Sequence, residues 1–291
     1  MGVYFIKNRD IKQVTRLKKS LMITLFGIVF CLNTQAQVID DYLADEKYLY
    51  SATKQVNQFF RRFNGEEDDK GNRYDPNAKQ YRHPDIRKGY LNMIFDNETA
   101  GYSNDLKKSF IKDVNGNNPE YLNFHGNNWF AEVHAVFNFN GKDENAVLFL
   151  TLEKDGLGSK WVFDQVYFDP FSRMFNTDTT RNSSFLHPMS HEIEFMNLNK
   201  AFNNREQLED YANKGYRPDF LSLFLYEIKK GNLTFKMVRN VKFHFFQVND
   251  WYFEIAEFNR KGFNKGWLIS NLVQVPEEQK PLLKDYIYFK N

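Results

Sequence analysis

Trp129-Phe130-Ala131-Glu132-Val133-His134-Ala135-Val136-Phe137 is the stretch that decides the fold. Trp129, Ala131, Val133, Ala135 and Phe137 form one apolar set, and Glu132 and His134 fall in the other. A period of two predicts a strand with one buried face. Asn140-Gly141 follows, a pair suited to tight hairpins because both residues tolerate positive φ. Ala146 to Glu153 then reads as a second strand, Gly156 to Gly158 as a turn, and Trp161 to Phe168 as a third strand. The pattern predicts an antiparallel meander.

Toward the N-terminus the period lengthens. Val56, Phe59, Phe60 and Phe63 fall at i, i+3, i+4 and i+7, which predicts a helix over Tyr48 to Phe63 ended by Gly65. Glu66 to Gln80 reads as a solvated loop, since its acids lack the alternating spacing and closing glutamate of a calcium loop. Pro84 opens a second helix carrying Ile86, Tyr90, Ile94 and Phe95, and Ser103 to Lys112 is a third. Residues 171–184 lose periodicity and are rich in Ser, Thr and Asn, as expected of a linker between units 37–170 and 185–291.

Beyond that linker the order of elements repeats. Glu192 to Phe202 reads as helical, Pro218-Asp219 opens a helix to Lys230, and three strands follow: Leu233 to Gln247, Trp251 to Phe258 and Trp267 to Val275. Glu277 to Tyr288 closes the chain as a helix. His83-Pro84-Asp85-Ile86 matches Arg217-Pro218-Asp219-Phe220, and Lys160-Trp161-Val162-Phe163 matches Gly266-Trp267-Leu268-Ile269. These matches point to an internal duplication.

Helices followed by a long meander whose last strand begins with Trp (Trp161, Trp267) resemble the NTF2-like superfamily, the cystatin-like α+β cone. The resemblance implies an α+β fold of two tandem units, each with helices packed on a curved antiparallel meander. The chain is also similar in general character to exported proteins of Gram-negative anaerobes, whose signals end in the same Gln35-Ala36-Gln37. NTF2-like members include enzymes, scaffolds and ligand binders, so the resemblance implies no single activity.

Residues 1–36 read as a signal peptide. Arg16, Lys18 and Lys19 precede the uncharged run Leu21 to Leu32, and a small residue, Ala36, sets a cleavage position before Gln37. Twelve residues rise only about 18 Å as a helix, too short to cross a membrane core. Phe30 before Cys31 departs from a lipoprotein signal, which has a small residue there. The 291-residue chain has a net charge of +2, but the first 36 residues hold six bases against Asp10 alone. Cleavage therefore leaves −3, which gives no overall charge basis for binding nucleic acid. It also removes Cys31, the only cysteine, excluding disulfides, thiolate catalysis and Cys-based zinc sites from the mature chain. No transmembrane span is expected in that mature chain.

Four residues are catalytic candidates. Glu132 and His134 share a strand face, where a His–carboxylate pair suits proton transfer. His191 and Glu192 belong to His187-Pro188-Met189-Ser190-His191-Glu192, the densest set of chemical groups in the chain. Pro188 argues against both histidines sharing one helix, and Ser190 reads equally well as an N-cap. No metal and no cofactor is expected from these patterns. His244 alternates with Phe243 and Phe245 and reads as outward-facing. Trp129, Trp251 and Tyr252 are candidates for lining a glycan or apolar-ligand pocket. Neither a phosphate-binding glycine loop nor a nucleophile elbow is present.

The leading expectation is an exported, non-catalytic binding or assembly module of the periplasm or cell surface, with a protein, small-molecule or glycan partner in the envelope. Two alternatives stand beside it. One is an NTF2-like enzyme using a His/carboxylate pair in a cone pocket. The other is a structural subunit of an envelope complex, docking through its C-terminal helix.

Overall fold

Three helices precede the first strand, and each has a local cause. Helix α1 (Val56–Asn64) buries Phe59, Phe60 and Phe63 on one side. It stops at Gly65, whose φ of 71° is left-handed and whose amide donates to Arg62. A Cβ at Gly65 would come within 3.1 Å of the Arg87 Cβ, so the position combines positive φ with close approach. Helix α2 (Pro84–Met93) starts on its proline with Asp85 in the first turn. Ser103 caps α3 (Asn104–Val114) by accepting from the Leu106 amide. Arg87 of α2 is buried and donates to the carbonyls of Phe63 (2.8 Å) and Val114 (2.6 Å), joining the C-terminal ends of α1 and α3.

The computed structural model describes residues 55–99, 101–155, 158–175, 185–189, 198–203, 205–213, 215–262 and 264–289. The expected signal peptide, its Ala36/Gln37 cleavage position, residues 176–184 of the expected linker, and both His191 and Glu192 lie outside the described residues. Among the described residues no helix is long and apolar enough to cross a membrane.

Strands β1 (Trp129–Phe139), β2 (Lys142–Asp155) and β3 (Gly158–Phe168) form the first meander. Asn140 and Gly141 both take positive φ in the β1–β2 turn, as that dipeptide predicts. Short helix α4 (Asp169–Met174) follows, then α5 (Leu198–Asn203) and α6 (Phe220–Lys230). Asp219 caps α6, accepting from the amides of Leu221 (3.1 Å) and Ser222 (3.3 Å). Strands β4 (Leu233–Phe245), β5 (Trp251–Phe258) and β6 (Gly266–Gln274) form the second meander, and α7 (Lys280–Phe289) ends the described chain.

The two meanders do not form separate sheets. Strand β1 pairs antiparallel with β4 from Trp129↔Phe245 to Phe139↔Leu233, giving one six-stranded antiparallel sheet in the order β3-β2-β1-β4-β5-β6. The fold is α+β, and both halves of the chain share this sheet. At its β6 edge, Ile269 donates to Ile94 and accepts from Asp96, which covers the edge at that point.

Packing on the helix-bearing face is crossed. Phe59, Phe63 and Phe110, from helices before the first meander, pack on Phe245, Trp251 and Phe253 of the second. Phe224 of α6, from the second half, packs on Phe137 and Phe168 of the first. The opposite face is covered by α7, where Tyr288 contacts Phe130 and Phe149.

Two local expectations are corrected. The start of the expected linker is helical core: Pro170 opens α4, and Phe171 is buried against Phe168 and Phe139. The acidic loop after α1 is not wholly solvated, because Glu67 is fully buried between Arg61 and Arg62, each 2.9 Å away.

Candidate functional site

The face of the sheet beneath α7 carries an unusual concentration of polar groups. Glu132 and His134 lie two apart on β1 and so project to the same side. The β1–β4 register sets Phe130 opposite His244 and Glu132 opposite Lys242, and the β4–β5 register sets His244 opposite Glu254. Tyr252 stands two residues before Glu254 on β5. Two of these side chains, His134 and His244, meet the Glu132 carboxylate directly.

Glu132 is buried, and each of its oxygens meets a different imidazole: His134 Nε2 at 2.5 Å and His244 Nε2 at 2.9 Å. An ionised carboxylate only accepts, so both Nε2 atoms carry the proton. The remaining nitrogen of His244, Nδ1, then accepts from the Tyr252 hydroxyl at 2.7 Å. Phe130 stacks on the His244 ring at 4.7 Å and fixes its plane. The hydrogen-bonded order is Tyr252, His244, Glu132, His134.

Burial alone would raise the Glu132 carboxyl. The hydrogen bond and charge of His244, joined by those of His134, outweigh it and bring the group down to about 2. Burial, with the carboxylates of Glu254 and Glu132, pushes the Tyr252 phenol far above its ordinary value. At neutral pH the pair is therefore carboxylate and phenol.

A cavity of about 660 Å³ opens onto this cluster. Glu132, His244, Tyr252, Lys242 and Glu254 make a polar floor, and Leu282, Leu283, Tyr286 and Ile287 of α7 make an apolar wall with Val273 and Val275. Lys242 Nζ lies 3.3 Å from Glu254, which also accepts from Ser270 at 3.1 Å. Lys280 fixes the start of α7 from below: its buried ammonium donates to the carbonyls of Phe246 (3.1 Å) and Val248 (2.6 Å). A second cavity of about 730 Å³ lies by β3 and the start of α6, with Asp164, Arg217 and Asp219 as its charged groups. There Asp219 is already engaged as a helix cap, and no comparable chain of titratable groups forms.

Glu132, His134 and Tyr252 come together. Trp129 and Trp251 are buried in the core on the other face, where their indoles donate to the Phe124 carbonyl and Asp113 (3.1 Å each). Neither lines the cavity. His244 is not outward-facing, as its alternation suggested, but 2% exposed, because α7 and Phe130 cover a face that a solitary meander would leave wet. The one local signal that could have found it is the period-two match of Lys242 and His244 with Glu132 and His134, which needs the β1–β4 register to become a site. Among the described residues no group of three or more His, Cys, Asp or Glu side chains is arranged to hold a metal. The two imidazoles point at separate oxygens of Glu132 rather than at a common centre.

No family model, no curated protein and no solved structure matches this chain.

Proposed function

We propose that the protein binds a small molecule with an apolar body and a polar head, held between the sheet and α7. The observation that carries this reading is the cavity itself: about 660 Å³, a polar floor on one side and an aliphatic wall on the other. Its size falls in the range of small-molecule sites. Of the partner classes expected from the sequence, a cleft of this size lined by both sheet and helix favours a small ligand over a protein. The inner side of α7 is used within the chain, with Tyr288 and Lys280 buried, while Leu282 and Tyr286 stay exposed at the rim of the cleft.

The test is binding of the neutral dye Nile red to the purified chain. Wild type is expected to bind saturably at one site, while Leu283→Trp fills the cavity and abolishes binding with its circular dichroism unchanged. Equal binding by both would remove the reading.

We place this binding role in the cell envelope, on the strength of the basic segment, apolar run and Ala36-Gln37 junction. The exported protein should then begin at Gln37, and an intact Met1 in its mass spectrum would contradict export. Of the tandem NTF2-like reading we keep the order of elements only, since the two meanders share one sheet and each half's helices cover the other half's strands. What supports that order is that helices precede each three-stranded meander and pack on an antiparallel sheet.

A further inference from the structure

The polar floor has an order that binding alone does not need. A ligand head could be held by any few donors and acceptors. Here three buried groups that all line the cavity are hydrogen-bonded in sequence, Tyr252 to His244 and His244 to Glu132. Each link is directional, since the carboxylate fixes the His244 tautomer and the tautomer fixes which way the Tyr252 proton points.

We propose that Tyr252, His244 and Glu132 make the cavity an acid–base site, which moves a proton from a carbon acid and stabilises the oxyanion that results. The proposal rests on the small-molecule reading of the same cavity. The substrate class is a compact, mostly apolar molecule with an acidic C–H whose electron pair can be delivered onto an oxygen.

In the forward step the Tyr252 oxygen takes the substrate proton while its own proton passes to His244 Nδ1. The C–H electron pair stays with the substrate and ends on its oxygen. His244 becomes an imidazolium, and the Glu132 carboxylate at 2.9 Å balances its charge. In the return step the Nδ1 proton goes back to Tyr252, and Tyr252 delivers a proton to the product at another atom or to its leaving oxygen. No oxidant, reductant or further reactant enters. The phenol, held protonated by burial, releases a proton on one side as it takes one on the other, so no free phenolate forms. Lys242 lines the same floor and supplies a cation for the developing oxyanion.

Tyr252 is the group that would touch substrate. Glu132 and His134 are positioning residues: Glu132 orients His244, and half-exposed His134 holds the other Glu132 oxygen at 2.5 Å. Phe130 keeps the imidazole plane fixed from its far side.

The experiment uses the full chain and 5-nitrobenzisoxazole, a carbon acid whose C–H loss forms a nitrile, breaks the N–O bond and releases a coloured phenolate. Wild type should open it saturably. His244→Gln, which can still hydrogen bond, should lower kcat about 100-fold with KM changed by less than about twofold. His134→Gln, at the half-exposed end, should lower kcat several-fold at unchanged KM, and it stands in if the buried variant fails to fold. Nile red binding is measured on every variant. Dye binding by wild type with no turnover above free imidazole at the same concentration overturns the acid–base proposal and leaves the binding reading intact. So does turnover that His244→Gln and His134→Gln leave unchanged. Loss of both dye binding and turnover in wild type overturns both.

Discussion

Glu132 shows how one residue's meaning depends on neighbours the local sequence does not name. Its place on a strand beside His134 was legible, since a period of two puts residues i and i+2 on one face. The second imidazole was not, because His244 lies 112 positions away and reaches Glu132 only through the β1–β4 register. That long-range pairing turns an exposed-looking dyad into a buried chain. The consequence is measurable. The Glu132 carboxyl titrates near 4.5 in an unstructured chain and is brought to about 2 in the fold. A depressed acid stabilises the native state above its unfolded value, and that stabilisation is lost as pH falls through the folded one. Wild type should therefore exceed Glu132→Gln in unfolding free energy above about pH 4.5, by about 1.5–3 kcal/mol, the worth of a hydrogen bond to a charged group. The difference should shrink below about pH 4.5 and vanish toward pH 2. Urea titrations across that range check this, and a difference that stays constant with pH would refute the ionised state assigned to Glu132.

At the scale of elements, most described helices and strands followed from local patterns, although the helix expected from Tyr48 starts at Val56, after an extended Gln55. Gly65, Pro84, Ser103 and Asp219 mark helix ends through caps and positive φ, which are local effects. The misread segments are those where tertiary contacts decide: Phe171 is drawn from the expected linker into an aromatic cluster, and Glu67 from the expected solvated loop between two arginines. Helix α7 was foreseen as an element but not as the wall of a cavity. Its position depends on Lys280, whose ammonium serves two carbonyls and also meets Glu277 at 2.5 Å. Charge-assisted bonds of this kind contribute about 1.5–3 kcal/mol each in favourable cases. Lys280→Met should accordingly speed hydrogen exchange throughout α7 and weaken Nile red binding about tenfold or more, while exchange in α1 stays at the wild-type rate. Unchanged exchange in α7 would mean that the helix is held by its apolar contacts alone.

At the scale of the molecule, the repeated order of elements was readable, but the way the halves combine was not. Nothing in either meander specifies that β1 and β4 will pair or that each half's helices will cover the other half's strands. The crossing makes a sharp prediction. Phe63→Ala removes a side chain that stacks on Phe253 at 5.9 Å, a deletion that costs about 3–5 kcal/mol in a buried site. Exchange should rise first in β5 and β6 of the second meander, and a rise confined to β2 and β3 would contradict the packing. The same union of halves creates the site, since Glu132 comes from the first meander while His244, Tyr252 and the α7 wall come from the second part of the chain. The most direct measurement is therefore a two-dimensional NMR titration of the labelled chain with Nile red. Shifts should concentrate at Lys242, His244, Tyr252, Glu254, Val273 and the residues of α7. Shifts centred instead on the helix-bearing face, around Phe110 or Phe224, would contradict it.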